Sequence, residues 1–236
     1  MSETDSSSLP TPTTSTTSTT PPRPGTDAPS ERTRVRRHPE RAAYDRESVN
    51  AIVDAALVCH LAFVQDGVPH CIPTACWREG GHLYIHCARA SRLVEVLTGG
   101  TVCVAISHMD GLVLARSALR HSMNYRSVVI YGAFEEVADP AAKAASLAAF
   151  LDHAVPGRAS QVRPPDDKEL AGTALLRISL DEAAAKVRSG PPKDLPQDLE
   201  RPAWAGVVPL RVVAGEPRPE AECAGLAVPS LPERYR

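Results

Sequence analysis

The stretch LYIHCARASRLVEVLTGG, residues 83–100, sets a run of alternating apolar side chains beside a short polar segment. A second stretch, HMDGLVLARSALRHSMNYRSVVIYG at residues 108–132, repeats this arrangement. Alternation with a period of two residues predicts β-strands that are buried on one face. Each predicted strand borders a segment that carries Arg, Ser and His. This combination suits a pocket for an anion attached to a flat apolar body.

The polar part of the first stretch predicts the start of a short helix. Ser91 can cap this helix, which Gly99 would end. Free N–H groups at a helix start, together with Arg89 and Arg92, form a receptor suited to a phosphate. The alternative is an ordinary surface helix with two solvated arginines, and this loop alone favours neither reading.

Asp66-Gly67 separates two β-like runs and is typical of a two-residue hairpin turn. Such a turn pairs Gln65 with Val68 and puts His60 and His70 on opposite faces of the sheet. A metal site built from both histidines is therefore disfavoured, and we predict no metal site.

Later β-runs continue the same pattern. We predict strands at 101–107, 112–115 and 125–137, with a turn at Asp110-Gly111 and a bulge or close backbone approach at Gly132. Short turns between successive strands favour an antiparallel meander or barrel. The chain contains neither a dinucleotide-binding glycine motif nor a P-loop.

Two helices and a proline-rich end complete the prediction. Asp45 can cap one helix, and Asp139-Pro140 can begin another whose apolar face holds Ala144, Leu147, Ala148 and Leu151. A last strand is predicted at 174–180. Beyond Gly190 we expect extended chain anchored by Trp204 and Val207-Val208.

Composition excludes several classes of protein. A net charge of -2 argues against a general nucleic-acid binder. No apolar run approaches the roughly 20 residues that span a bilayer, and no secretory signal is visible, so we predict a cytoplasmic protein without membrane contact. The six cysteines form no C-x-x-C pair and are expected to be reduced, buried thiols: Cys59, Cys71, Cys76, Cys87, Cys103 and Cys223.

The same reasoning divides the chain into three parts. Residues 1–38 begin with a tract of Ser, Thr and Pro that lacks large apolar side chains, so we predict a disordered tail. Residues 39–212 are predicted to form one domain, which is long enough to bury a core. Residues 213–236 are predicted to be extended or loose.

Three pieces, taken in order, carry a resemblance: IPT at 72–74, YIHCARASR at 84–92 and NYRSVVIYG at 124–132. With them the chain resembles the flavin-binding split-barrel family that includes pyridoxamine 5′-phosphate oxidase, and within it the nitroimidazole-resistance-like branch. The resemblance implies a mainly β fold with flanking helices, built on a six-stranded antiparallel split β-barrel. It also implies a homodimer with an FMN in each of two sites between the subunits.

The resemblance further implies which residues bind the cofactor. The FMN contacts carry over to Cys71, Ile72, Pro73, Thr74, His86, Cys87, Ser91, Arg92, Tyr125, Arg126 and Ser127. We add Arg89 because a doubly charged phosphate attracts more than one guanidinium. Two departures from the family pattern matter. Leu93 stands where pyridoxamine phosphate oxidases have a lysine, and the C-terminal Arg-x-His segment is missing, so oxidation of pyridoxamine phosphate is not expected.

The predicted function is that of an FMN-binding oxidoreductase acting on an unidentified small molecule. His86, at the end of a strand beside the predicted flavin, is the candidate for proton transfer; alternatively it only packs against the ring. A second hypothesis is a non-catalytic flavin-binding module. The related hypothesis of haem binding offers five candidate axial ligands, which are His60, His70, His86, His108 and His121.

Overall fold

The structure is a computed structural model that describes residues 27–223 and 225–235. Its strands are β1 (Ala42–Ala43), β2 (Val58–Gln65), β3 (Val68–Ala75), β4 (Trp77–Glu79), β5 (His82–Ala88), β6 (Val102–Leu114), β7 (Ser122–Gly132), β8 (Glu135–Glu136), β9 (Thr173–Ser179), β10 (Ala183–Arg188) and β11 (Gly206–Pro209). Its α-helices are α1 (Arg46–Asp54), α2 (Leu93–Thr98), α3 (Pro140–Ala154) and α4 (Asp167–Gly172).

The strands form two antiparallel sheets. The larger sheet follows the order β1-β10-β7-β6-β2-β3, and β11 pairs with the second half of β6. The smaller sheet follows the order β4-β5-β9-β8. The two sheets do not close into a continuous barrel. The predicted fold class, a mainly β split barrel with flanking helices, is confirmed, and six strands form the main path of the larger sheet.

The core lies between the two sheets and beneath α1 and α2. Its fully buried side chains include Ile52, Val53, Leu61, Leu83, Ile85, Leu97, Val104, Ile130 and Leu176. These residues come from alternate positions of the strands and from the inner faces of the helices, as amphipathic elements require. The opposite face of the larger sheet is left open.

The β2–β3 hairpin has the predicted register. Asp66 and Gly67 adopt φ angles of 53° and 77°, which a two-residue turn of this kind requires. His60 therefore pairs with Pro73 and His70 with Phe63, as predicted. The His70 ring stacks on Phe63 with ring centroids 5.2 Å apart, whereas His60 is exposed on the open face.

Strand β6 differs from the prediction of two strands joined by a turn at Asp110-Gly111. It runs without interruption and instead shifts register against β7 between Met109 and Gly111. A Cβ at Gly111 would lie 3.0 Å from the Val208 carbonyl oxygen of β11. The glycine therefore permits the close approach of β11 rather than a chain reversal.

The predicted strand at 125–137 is also divided. Strand β7 ends at Gly132, and the chain then enters the smaller sheet as β8. A Cβ at Gly132 would meet only the Ile178 side chain, at an ordinary contact distance of 3.4 Å, and the register with β6 is regular there, so the predicted bulge or close backbone approach is not found. Residues 133–134 thus form one of the short connections between the two sheets.

The predicted helix caps at Asp45 and Asp139 are present. Asp45 accepts a hydrogen bond from the Ser48 N–H at 2.8 Å, and Asp139 accepts one from the Ala142 N–H at 2.7 Å. The predicted apolar face of α3 is only half-buried. The buried residues of this helix are instead Lys143 and Ser146. The Lys143 side chain is buried because its ammonium group donates to the carbonyl oxygens of Leu170 and Thr173.

Residues 27–38, which composition assigns to the tail, lie against the larger sheet. Thr33 is only 3 % exposed, and the Ser30 hydroxyl donates to Glu182 at 2.7 Å. Arg32 forms an ion pair with the same carboxylate at 3.3 Å. The prediction for residues 1–26 falls outside the described residues.

The C-terminal region also makes specific contacts. Val207 and Val208 lie in β11, but Trp204, a predicted anchor, is 65 % exposed. Near the end of the described chain, the Arg234 guanidinium donates to the carbonyl oxygens of Asp54 and His153 at 3.4 and 2.7 Å. These carbonyls lie at the C-terminal ends of α1 and α3.

The six cysteines are free thiols, in environments that differ from the prediction. Cys59 and Cys76 are buried, Cys87 and Cys103 are half-buried, and Cys71 and Cys223 are exposed. Across the described residues, no helix has the length and apolar character needed to cross a bilayer.

Candidate functional site

The first predicted cluster is brought together by neighbouring elements. Strand β3 contacts β5, and α2 follows β5 directly, so residues 71–74 and 86–92 belong to one region. Residues 125–127 lie on β7, which β6 and β2 separate from β3. At roughly 4.8 Å per strand, this separation is about 14 Å. Within one chain, the two clusters therefore do not meet.

The residues of β3 present alternate sides to the open face and to the core. Cys71 and Pro73 are exposed, whereas Ile72 packs against the core and Thr74 is half-buried. The exposed side chains are small. A flat ligand could therefore approach this edge of the larger sheet closely.

His86 lies on the outer face of the smaller sheet, beneath α3. Its ring centroid is 5.3 Å from that of Phe150 and 6.0 Å from that of Trp77. Its Nδ1 atom is buried and has no hydrogen-bond partner among the described residues. Burial lowers the pKa of His86, so the neutral ring is favoured. Burial likewise raises the pKa of the neighbouring Cys87 thiol.

The surroundings of His86 include residues that sequence reasoning missed. The Trp77 indole N–H donates to a Glu79 carboxylate oxygen at 2.9 Å, and Ser146 of α3 donates to the same oxygen. These bonds fix the aromatic wall beside His86. No local signal places Phe150 there, because it approaches from a helix more than sixty positions away in the sequence.

The polar loop before α2 holds three predicted phosphate ligands. The Ser91 hydroxyl accepts a hydrogen bond from the Leu93 N–H at 3.2 Å. The prediction that Ser91 caps α2 is nevertheless wrong, because Arg92 occupies the N-cap position and its side chain makes no capping bond. Arg92 is exposed and has no ion-pair partner within the described chain. Arg89 instead forms an ion pair with Glu136 of β8. Leu93 packs against the core, which accounts for an apolar residue at this position.

The second cluster is held by contacts within its own sheet. The Arg126 guanidinium donates to both oxygens of Asp110, and the Ser127 hydroxyl donates to the Lys186 carbonyl oxygen at 3.3 Å. Tyr125 is half-buried. Tyr125 and Ser127 therefore border the open face of the larger sheet, whereas Arg126 points to the opposite face, where it is already paired with Asp110.

Small side chains surround His60 on that open face. Across the sheet, His60 is in register with Pro73 on one side and Ala105 on the other, and Ala105 is in register with Val129. The His60 imidazole is exposed and makes no hydrogen bond to the described residues. A histidine set in a flat, small-residue surface suits axial ligation of a planar metal cofactor.

The other candidate axial ligands are less available. The His108 ring is 3.0 Å from the Ile52 carbonyl oxygen, and the His121 ring is 3.1 Å from that of Ser117. His70 is stacked on Phe63, and α3 covers His86. In the described part of the chain, no three His, Cys, Asp or Glu side chains come together as a metal site.

Two open clefts lie away from the predicted residues. One, of about 280 Å³, lies between β2 and the end of α2. The other, of about 440 Å³, is lined by the N-terminal segment and includes Arg34 and Tyr44. Neither cleft includes a residue predicted to bind the cofactor.

Comparison with known proteins adds to this geometry. Residues 45–187 match the family model described as pyridoxamine 5′-phosphate oxidase. Among curated proteins, none matches this chain.

Three solved structures are similar. The flavocytochrome Anf3 from Azotobacter vinelandii is 41 % identical, with a TM-score of 0.80 over 89 % of this chain and 97 % of that one. The FAD and haem binding protein from Mycobacterium smegmatis is 33 % identical, with a TM-score of 0.75 over 80 % and 94 %. A candidate 5-nitroimidazole antibiotic resistance protein from Bacteroides thetaiotaomicron is 20 % identical, with a TM-score of 0.53 over 62 % and 86 %, and supports the fold alone.

Proposed function

Because this chain belongs to the pyridoxamine 5′-phosphate oxidase family, we propose that it is a flavin-dependent oxidoreductase that also binds haem. When bound, a flavin exchanges electrons in pairs or singly, and a haem iron exchanges them singly. The protein's part is to hold both groups and exclude competing reactions.

Two relatives support the pairing of cofactors. One is a flavocytochrome and the other binds FAD and haem, and this chain spans nearly the whole length of each. The observation that carries the proposal to this chain is the position of His60. It is exposed among small side chains on an open sheet face, where it could ligate the metal of a planar cofactor that lies against this apolar surface.

For the flavin, we propose a site that two copies of the chain complete. Residues 71–74 and 86–92 would hold the ring and phosphate, with Arg92 as the free cation. Tyr125 and Ser127 of the other copy would border the ring, because they lie about three strand spacings from β3 in their own chain. A homodimer of this kind matches what the family resemblance implies.

Under this proposal, His86 has a structural role rather than a catalytic one. Its buried, neutral ring packs against Trp77 and Phe150, and its Nδ1 lacks a partner among the described residues. We propose that it positions the strand that carries Cys87 and accepts a proton only if the site opens. This leaves the non-catalytic flavin module as the second candidate function, favoured by the lack of a hydrogen-bond partner for the His86 Nδ1 atom among the described residues.

The test is a set of absorption spectra on freshly purified full-length protein. We expect the flavin band together with the Soret band of haem. His60→Ala should abolish the Soret band and leave the flavin band. His70→Ala is the matched control, since it lies on the partner strand but faces the core side, and it should keep both bands.

Further outcomes divide the candidates. Bleaching of the flavin by NADH or NADPH without oxygen, followed by haem reduction, supports an oxidoreductase. Flavin absorbance that persists with every electron donor tried supports a non-catalytic binding module. A colourless protein that retains neither added flavin nor added haem contradicts the whole proposal.

A further inference from the structure

Four arginines lie in the described strands, and one of them differs from the other three. Those three form ion pairs with carboxylates: Arg78 with Asp54, Arg126 with Asp110 and Arg177 with Glu135. The guanidinium of Arg188, the last residue of β10, donates instead to neutral oxygens, those of the Asn124 amide and of the Gly190 and Pro191 carbonyls. Within the described part of the chain, no carboxylate compensates its charge.

A second arginine adds to this excess of positive charge. Arg41 directly precedes β1, which pairs with β10. Its side chain is 26 % exposed, and a Glu40 carboxylate oxygen lies 3.7 Å from its Nε atom, beyond hydrogen-bond distance. Burial and the nearby charge of Arg41 lower the pKa of Arg188. Two adjacent guanidiniums with so little compensation are costly to keep, and a bound anion would relieve that cost.

The cross-strand neighbours of Arg188 indicate what the anion is attached to. Arg188 is in register with Tyr125 of β7, and Tyr125 is in register with Met109 of β6. The three positions therefore share one face of the sheet and span about 10 Å, which is two strand spacings. The Tyr125 hydroxyl makes no hydrogen bond to the described residues, and the Met109 side chain is 52 % exposed. A row with a charged end and an apolar end suits a carboxylate on a flat apolar body.

Resting on the proposed flavin site, which Tyr125 borders, we propose that Arg188 and Arg41 bind the carboxylate of the small-molecule substrate, and that this substrate is a flat apolar acid. A guanidinium can hold a carboxylate through two parallel hydrogen bonds, which fixes the orientation of the attached group. The apolar body then lies along Tyr125 and Met109. A neutral molecule of the same shape would leave both arginines uncompensated, so the site selects for negative charge.

The experiment measures the dissociation constant of benzoate by isothermal titration calorimetry on the flavin-loaded, full-length protein. Benzamide, a neutral molecule of nearly the same shape, and acetate, which lacks the apolar body, are the comparison probes. Benzoate should bind at least about tenfold more tightly than either. Equal binding of benzoate and benzamide would overturn the role of the arginines. Equal binding of benzoate and acetate would overturn the assignment of an apolar acid.

Two variants and a matched control locate the site. Arg188→Gln should weaken benzoate binding by about tenfold or more, and Arg41→Gln by about three- to tenfold. Arg37→Gln removes the same charge from an exposed arginine just before β1 and should leave benzoate binding unchanged. Arg41→Gln also guards against misfolding, because Arg41 makes none of the hydrogen bonds by which Arg188 holds Asn124 and Gly190.

Flavin content separates the possible sources of the anion. Arg188→Gln and Arg41→Gln should both retain flavin. A loss of flavin in these two variants but not in Arg37→Gln would show that the arginines hold an anionic group of the cofactor, which would overturn the inference. Unchanged benzoate binding in either variant would also overturn it. Failure of the unchanged protein to bind any flavin would instead refute the proposed function.

Discussion

Arg126 reaches Asp110 at the step where β6 shifts register against β7, and its guanidinium donates to both carboxylate oxygens at distances of 2.9 to 3.2 Å. The two side chains are 29 % and 31 % exposed. A bidentate ion pair at this exposure stabilises the register shift more than a fully exposed surface pair would. Its first role is therefore to hold the strand.

Replacing Arg126 by lysine should lower the free energy of unfolding by about 1 kcal/mol, since lysine cannot reproduce the two-pronged bond. Chemical denaturation of the cofactor-free protein measures this change. Asp110→Asn should give a loss of similar size. If Arg126→Lys leaves stability unchanged but lowers flavin content, the residue contacts the cofactor and the pairing is secondary.

Arg92→Ala should weaken flavin binding by about tenfold or more, because it removes the free guanidinium from the proposed phosphate site. The measurement is flavin retained per folded protein after dialysis. Arg211→Ala, at another exposed arginine, is the control. Equal flavin content in the two variants would place the phosphate elsewhere.

Acidification should destabilise the protein partly through His86. Burial lowers the pKa of this residue below its ordinary value of 6.5, so as the pH falls the unfolded chain takes up a proton before the folded one does. The stability contributed by neutral His86 is present above the ordinary pKa and is lost as the pH falls through the lowered pKa. His86→Phe should therefore reduce the loss of stability on acidification.

The comparison is between free energies of unfolding measured above and below the ordinary histidine pKa. His121→Ala, at an exposed histidine, should show the same loss on acidification as the unchanged protein. The same loss in His86→Phe would mean that other groups dominate this range.

Truncation at the N-terminus should show whether residues 27–38 stabilise the domain. Removal of residues 1–26 should leave stability and cofactor content unchanged, as their composition predicts. Removal of residues 1–38 should cost about 1 to 3 kcal/mol, because buried Thr33 and the contacts of Ser30 and Arg32 with Glu182 are lost. Thermal denaturation of both variants measures the difference. Equal stability would mean that this segment only rests on the sheet.

Features set by neighbouring residues could be predicted from the sequence. Asp66-Gly67 determines the hairpin register because its turn chemistry is local. The caps at Asp45 and Asp139 likewise involve N–H groups three positions away. The family resemblance then supplied the fold class, which these local features alone left between a meander and a barrel.

Features that depend on distant contacts could not be predicted. The dipeptide Asp110-Gly111 is typical of a turn, but β11 packs against Gly111 and β6 continues through it. A lysine is expected to be exposed to solvent, but the Lys143 side chain is buried and donates hydrogen bonds to carbonyl groups of α4 and β9. At the candidate site, the partner of Arg89 is Glu136, far along the chain, and no periodicity connects the two.

Arg234 joins the last carbonyl groups of α1 and α3, and the His153 ring lies 2.7 Å from the carbonyl oxygen of Ala56, just beyond α1. Helix ends ordinarily fray independently, and their amides exchange with solvent first. Here the final turns of two helices share one crosslink of hydrogen bonds. In hydrogen exchange, these turns should behave as one cooperative unit whose opening is set by the docking of residues near 234.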